Sequence, residues 1–198
     1  MAGPVDELPA YQLARRQKIL DAARHLLESK DYEQIQIRDV AAEAGVALGT
    51  LYRYFSSKEH LYAAVIFDWG APFARISASW KPETTAAERL KMRIHGALDA
   101  FEKRPQFYKA MTILRTRADE NALALMASFG EMLEAPLRED LSGLPEDEAR
   151  DITVMVWSIL MDLVNRMITG YASMADASRV ADLFIEMVAE RIEAGKRR

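Results

Sequence analysis

Apolar residues recur every three or four positions along most of the chain, and this spacing places them on one face of an α-helix. No segment shows a convincing alternation of apolar and polar residues, which is the pattern of a half-buried β-strand. Proline and glycine, the residues that interrupt helices, are few and clustered. The pattern therefore predicts an all-α protein of about nine helices.

The predicted helices are joined by short breaks. The fourth is expected to open with a capping box, because Ser56 precedes Glu59 by three residues. Pro72 should end or kink this helix, and it marks the expected boundary between two modules. The predicted helices run from about Leu13 to Glu28, Ile37 to Glu43, Ala47 to Tyr54, Ser56 to Pro72, Ala86 to Glu102, Pro105 to Arg117, Asn121 to Asp140, Glu146 to Ile168 and Asp176 to Glu193.

Composition and charge exclude several classes of protein. The chain has no cysteine, which excludes disulfide scaffolds, thiol enzymes and cysteine-based metal sites. Its first residues carry Asp6 and Glu7 and lack the pattern of a secretory signal, and its apolar stretches are far shorter than the roughly 20 residues of a membrane span. We therefore expect a soluble, cytoplasmic protein with no membrane partner.

The sequence offers no arrangement of residues that predicts catalysis. His25, His60 and His95 are scattered, and no pair of histidines or carboxylates has a convincing metal-ligand spacing. Neither a glycine-rich phosphate loop nor a nucleophile elbow is present. We predict that the chain is not an enzyme and needs no cofactor and no metal.

Residues 37–54 have the pattern of a helix-turn-helix. A small residue, Ala41, fits the point where two short helices cross closely, and Gly45 permits a left-handed turn between them. Val40, Val46 and Leu51 are apolar at positions where they can clamp the crossing. The second helix then presents its other face outward.

The outward face of the second helix suits DNA, although the net charge of −4 does not by itself favour nucleic acid. Gly49 and Thr50 are small enough to let the helix backbone approach a groove edge, and Arg53 can reach phosphate or base. Lys58 adds a second cation, and no acid lies between Val46 and Lys58. The local charge therefore favours DNA where the total charge does not.

The segment Ala44–Leu61 resembles the signature of the TetR family of one-component bacterial regulators. The resemblance is specific over about residues 12–66, and by length and helical pattern it extends to the whole chain. It implies a three-helix DNA-binding head, a linking fourth helix, and a body of five more helices that binds a ligand and dimerises.

The resemblance also implies domain bounds. The helix-turn-helix DNA-binding domain is expected at residues 10–55. The ligand-binding and dimerisation domain is expected at residues 56–198, with the linking helix at residues 56–72.

Family roles can be assigned to matching positions, with two departures. Gln36 and Ala47 stand where the family usually has Ser or Thr as helix caps, so two helices lose a side-chain acceptor. Thr50 and Leu48 are expected in the major groove. Tyr52, Lys58 and Arg38 are expected on the DNA backbone, and Arg53 could serve either role. Arg15 and Arg16 are either solvated charges or phosphate anchors. The candidate DNA-binding residues are Arg15, Arg16, Arg38, Leu48, Gly49, Thr50, Tyr52, Arg53 and Lys58.

A two-fold dimer makes this interpretation coherent, because two copies of a short helix can read a palindrome. The last two helices should supply the interface, since the eighth is apolar around most of its circumference. The alternative is that the eighth helix is the central core helix of a monomer. The candidate interface residues are Met155, Ile159, Met167, Phe184, Met187 and Val188.

The middle helices are rich in aromatic and methionine side chains, which either line an apolar pocket or pack a helical core. His95, and Asp162 with Arg166 in the apolar eighth helix, are either satisfied structural networks or groups that orient a ligand. The candidate ligand-binding residues are Phe73, Trp80, His95, Phe101, Tyr108, Met111, Met126, Phe129, Trp157 and Met161.

Within the family, Ala47, Arg104-Pro105 and Ala110-Met111 are faintly similar to the steroid-catabolism repressors, whose effectors are steroidal acyl-CoA thioesters. This resemblance implies an apolar effector of acyl-CoA or steroid-like type.

The sequence as a whole predicts a ligand-responsive transcriptional regulator. It is expected to be a repressor that binds a palindromic operator in double-stranded DNA as a homodimer and is released by a small, largely apolar effector. The alternative is a helical protein-interaction module, or a ligand-binding protein without specific DNA binding. Such a protein would not need small Gly49 and Thr50 beside Tyr52 and Lys58 on one exposed face.

Overall fold

The computed structural model describes residues 9–75, 81, 83–117 and 119–195. Over these residues the regular structure consists of nine α-helices and one turn of 3-10 helix at Tyr32–Gln34, without a strand. This confirms the predicted all-α fold. The helices are α1 (Ala10–Ser29), α2 (Ile37–Glu43), α3 (Leu48–Tyr54), α4 (Lys58–Arg75), α5 (Ala86–Lys103), α6 (Pro105–Arg117), α7 (Glu120–Asp140), α8 (Glu146–Ile168) and α9 (Met174–Gly195).

Side-chain caps fix the starts of α5 and α9. The Thr85 hydroxyl accepts from the Glu88 backbone N–H at 3.2 Å, and the Glu88 carboxylate accepts from the Thr85 backbone N–H at 2.7 Å. Ser173 and Asp176 form the same reciprocal pair at 3.1 and 3.2 Å before α9. Each pair satisfies two backbone N–H groups that the helix itself cannot satisfy.

The capping box predicted at Ser56 and Glu59 is wrong by one residue. The Ser57 hydroxyl accepts from the His60 N–H at 2.9 Å, and the Ser57 carbonyl accepts from the Leu61 N–H at 3.1 Å, so Ser57 is the cap of α4. The carboxylate of Glu59 instead accepts from the Tyr32 hydroxyl at 3.2 Å. The structure also carries α4 through Pro72 to its end at Arg75, so the proline does not end the helix.

The chain divides into two compact units. The first comprises Met1–Gly70 and Gln106–Phe129, and therefore contains the three N-terminal helices together with α6. In its interior the Trp69 and Phe107 rings lie 4.9 Å apart. The Arg24 guanidinium pairs with Asp68, which joins α1 to α4.

The second unit comprises Ala71–Pro105 and Gly130–Arg198, and in it α5 packs against both α8 and α9. The nearly buried carboxylate of Asp140 pairs with Arg89 at 2.5 Å and with Arg93 at 3.3 Å. These two ion pairs join the end of α7 to α5.

None of the described helices combines the length and the apolar character that crossing a bilayer requires.

Candidate nucleic-acid interface

Helices α2 and α3 form the predicted helix-turn-helix. Gly45 between them has a φ of +65°, in the left-handed region that an L side chain rarely adopts. The turn is closed by hydrogen bonds from the Gly45 N–H to the Ala42 carbonyl at 3.1 Å and from the Val46 N–H to the Ala41 carbonyl at 3.0 Å. The predicted role of Gly45 is confirmed.

Helix α3 has one buried side and one exposed side. Leu51 and the following Phe55 are buried, which fixes the helix to the interior of the first unit. Leu48 is 41% exposed and Tyr52 is 46% exposed, and Gly49 is also exposed. This short helix therefore offers a free surface of one aliphatic, one aromatic and several small or polar groups.

Neither α2 nor α3 begins with a side-chain cap. Their cap residues are Gln36 and Ala47, and neither side chain accepts a hydrogen bond from the helix. The loss of caps expected from the sequence is confirmed. A missing cap of this kind reduces helix stability by about 1 kcal/mol, so burial of one face has to hold these seven-residue helices.

The candidate cations differ in how free they are. Arg15 and Arg53 are exposed, and so is Arg38, whose Nε lies 3.8 Å from a carboxylate oxygen of Asp39. Arg16 lies over the Phe55 ring at 5.3 Å, and burial lowers the pKa of its guanidinium. An arginine packed in this way supports α1 against the core as well as offering charge to a ligand.

Lys58 is engaged inside the first unit. Its ammonium donates to the Tyr32 backbone carbonyl at 2.5 Å and stands 4.1 Å from the centre of the Tyr32 ring. Burial lowers the pKa of this ammonium. To meet a phosphate, the Lys58 side chain must exchange this carbonyl for the new acceptor.

The connection between α3 and α4 has partners that the sequence did not suggest. The Ser57 hydroxyl donates to the carboxylate of Asp119, and the Asn121 side-chain amide donates to the Ser56 hydroxyl at 2.9 Å. In the sequence, Asp119 lies in the short break between the predicted helices Pro105 to Arg117 and Asn121 to Asp140. Its position directly before a periodic segment, as a helix cap, is the one signal that could have identified it.

Similarity to known proteins shows the family to which this chain belongs. Residues 19–65 match the family described as bacterial regulatory proteins, tetR family. The chain is 30% identical over 182 residues to the HTH-type transcriptional repressor KstR of Mycolicibacterium smegmatis, a match that covers 89% of this chain and 88% of the repressor. The chain belongs to the tetR family. It is thus a DNA-binding transcriptional regulator of the ligand-responsive kind.

Solved structures of other TetR-family and related regulators share this fold. A TetR transcriptional regulator from Rhodococcus sp. RHA1 matches with a TM-score of 0.74 at 23% identity, over 91% of this chain and 98% of that one. The transcriptional regulator FadR from Bacillus subtilis, solved in complex with stearoyl-CoA, matches with a TM-score of 0.69 at 20% identity, over 87% of this chain and 96% of that one. At such identities the likeness shows a common architecture.

The candidate ligand residues of this TetR-family chain lie in both units, and their role stays a prediction. Trp80 lies outside the described residues. His95 is engaged with α9, because its Nε2 lies 2.7 Å from an Asp182 oxygen that also accepts from Lys91 at 2.9 Å. In the first unit are Tyr108, Met111, Met126 and Phe129, and in the second are Phe73, His95, Phe101, Trp157 and Met161.

The candidate interface residues lie on α8 and α9, and all but Met167 line one open apolar groove. We call this feature the α8–α9 groove. Leu183 and Met187, on its α9 side, are 56% and 69% exposed. The groove is bounded at one end by an ion pair of Arg191 with Glu148 at 2.6 Å. Its lining residues are Glu148, Asp151, Ile152, Met155, Ile159, Val180, Leu183, Phe184, Met187, Val188 and Arg191.

Proposed function

We propose that the chain represses transcription by binding a palindromic operator with the exposed face of α3. The two-sided character of α3 carries this proposal. Leu51 fixes the helix from one side, while Leu48 and Tyr52 leave the other side free for the major groove. Leu48 and Thr50 contact base edges in this arrangement, and the open position of Gly49 lets the helix backbone come close to them.

Cationic and hydroxyl side chains around α3 hold the DNA backbone in this proposal. Tyr52 and Arg38 donate to phosphates, and Arg53 serves a phosphate or a guanine. Lys58 joins them by exchanging the Tyr32 carbonyl for a phosphate, which is a stronger, charged acceptor. Binding should therefore weaken strongly as salt rises.

A second copy of this chain occupies the α8–α9 groove in our proposal. Leu183 and Met187 expose large apolar side chains next to one another on α9, and such a contiguous patch marks an interaction surface. A two-fold axis through the groove would place the same patch of each copy against the other. The dimer would then carry two α3 helices, one for each half of a palindrome. In this assignment residues 10–55 bind DNA, and residues 56–198 bind the effector and dimerise.

The dimer can be tested with two matched substitutions in the second unit. Met187→Glu places a charge in the α8–α9 groove, whereas Met92→Glu places one at an exposed position of α5. In sedimentation velocity the wild type and Met92→Glu should be dimers, and Met187→Glu should be a monomer with operator affinity reduced at least about 100-fold. A Met187→Glu variant that stays dimeric and binds operator normally would overturn this interface.

The effector in this proposal is a small, largely apolar molecule of acyl-CoA or steroid-like type. Met111 and Phe129, both in the first unit, supply large buried apolar side chains on α6 and α7. FadR, which shares the fold, was solved with stearoyl-CoA. An effector releases DNA only to the extent that it binds the released form better than the DNA-bound form.

Operator release tests the effector class directly. Stearoyl-CoA and a steroidal acyl-CoA are each titrated into the complex of protein and fluorescent operator, with free CoA as the control. We expect at least one thioester to release the DNA at a concentration where CoA does not. Retention of the operator with both thioesters would contradict this class of effector.

A further inference from the structure

The connection that follows the recognition helix α3 is held from a distant part of the chain. Only Phe55, Ser56 and Ser57 separate α3 from α4, and Phe55 is buried. Asp119 and Asn121, more than 60 positions away, bind the two serines through side-chain hydrogen bonds. We call this set of bonds the Asp119 clamp.

Asp119 serves two helices at once. One carboxylate oxygen accepts from the Ala122 backbone N–H at 2.9 Å, which caps the start of α7. The other oxygen accepts from the Ser57 hydroxyl. Partial burial by itself would raise the pKa of this carboxyl. The hydrogen bonds from Ser57 and from backbone N–H groups outweigh that effect, so the pKa lies below its usual value and the group is ionised at neutral pH.

The serines are fixed from both sides. The Ser57 hydroxyl accepts from the His60 N–H while it donates to Asp119, so the cap of α4 and the cap of α7 share one hydroxyl. The Ser56 N–H donates to Nδ1 of His60 at 3.1 Å, and the Ser56 hydroxyl accepts from Asn121. The angle at which α3 leaves α4 depends on the backbone of these two residues.

We propose that Asp119 and Asn121 are positioning residues for DNA recognition, which set the orientation of α3 without touching DNA. This inference rests on the proposed function of α3 as the helix that reads the operator. Sequence-specific contacts need α3 in one orientation, whereas unspecific attraction to phosphates does not. The clamp also ties α3 to α7, the helix that carries the candidate ligand residues Met126 and Phe129.

Variants at Asp119 separate positioning from capping. Asp119→Ala removes the Ser57 bond of the clamp and the cap of α7. Asp119→Asn keeps the cap, because Asn caps a helix about as well as Asp, and its amide N–H can donate to the Ser57 hydroxyl in place of the bond that the carboxylate accepts. Thr85→Ala is the matched control, since it removes the cap of α5 in the other unit. Asn121→Ala removes the second bond of the clamp and leaves every cap in place.

Two measurements decide the proposal. The first is the affinity for the operator relative to an unrelated duplex of the same length. We expect Asp119→Ala to weaken operator binding about tenfold and Asn121→Ala to weaken it severalfold, with little change on the unrelated duplex. Asp119→Asn should restore most of the operator affinity, and Thr85→Ala should retain it.

The second measurement, amide hydrogen exchange of the free full-length protein, needs no operator. Asp119→Ala should speed exchange in the peptide that covers residues 48–62, and Thr85→Ala should not. Unchanged exchange in this peptide would overturn the clamp, even if the wild type selects no operator. If Asp119→Ala exchanged faster but lost the same affinity for the operator and for the unrelated duplex, Asp119 would have a purely structural role and the proposal would be wrong.

Discussion

Replacing Gly49 by alanine should stabilise the protein and weaken its binding to the operator. A Cβ added at Gly49 has no atom within 4 Å, and the residue does not have a left-handed φ, so the fold itself does not require glycine there. Alanine is favoured over glycine in a helix by about 0.8–1.0 kcal/mol. We expect Gly49→Ala to raise the free energy of unfolding by about 0.5–1 kcal/mol, because the residue lies in the first turn of α3.

The effect on DNA binding should have the opposite sign. In the proposed complex the backbone at Gly49 lies against the edge of the major groove, where an added methyl group must be accommodated. One extra methyl in a closely packed contact costs about 1–3 kcal/mol, which corresponds to a loss of affinity of about 5–150-fold. A loss of affinity in a more stable protein cannot be attributed to unfolding.

Two other glycines provide controls. Gly96 on α5 also has open space where alanine would place its Cβ, so Gly96→Ala should stabilise the protein by about 1 kcal/mol and leave operator affinity unchanged. At Gly70 a Cβ would lie 2.1 Å from Cε2 of Phe129, so Gly70→Ala should destabilise the protein. Urea denaturation and fluorescence anisotropy with labelled operator measure both quantities. Wild-type operator affinity in Gly49→Ala would refute the close approach of α3 to DNA.

Three further predictions concern ion pairs, pH and phosphate contacts. Asp140→Ala should lower the free energy of unfolding by about 3 kcal/mol in urea denaturation, because it leaves the largely buried Arg93 without this carboxylate; a change below about 1 kcal/mol would contradict this. Burial holds the pKa of His60 below 6.5 despite nearby Asp119, with Arg16 also lowering it, so the folded state binds fewer protons than the unfolded state. Its contribution to stability is therefore present above about pH 6.5 and is lost as the pH falls below that value, and His60→Gln should flatten the stability profile between about pH 7 and 5. Tyr52→Phe should weaken binding to operator and unrelated duplex alike, and an unchanged affinity would remove its assignment to a phosphate.

The helix-turn-helix could be predicted from sequence because its requirements are local. A left-handed turn needs glycine at Gly45, and a short helix needs apolar positions such as Leu51 at helical spacing. Helix bounds followed from the same periodicity to within a few residues. The predicted cap of α4 was wrong by one residue, because Ser56 and Ser57 both carry a hydroxyl that can cap a helix. Only the structure distinguishes them, since it is the Ser57 hydroxyl that accepts a hydrogen bond from the His60 N–H.

The contacts between distant segments could not be predicted in this way. Nothing near Asp119 in the sequence indicates that its carboxylate binds Ser57. The polar pair inside apolar α8 was open to two interpretations, and in the structure Asp162 and Arg166 form a 2.6 Å ion pair in which both side chains are more than half exposed. Periodicity identifies which residues share a helix face but not which face is covered by a neighbour.

The most direct test of the central claim is selection of bound sequences from a random duplex library by the purified full-length protein, without effector and at moderate salt. We expect an enriched palindrome with half-sites about one helical turn apart, and we expect Met92→Glu but not Met187→Glu to recover the same sequence. The selection is repeated with protein that has been refolded from denaturant to remove any bound ligand. If the selected pool is still random, sequence-specific recognition by α3 is contradicted.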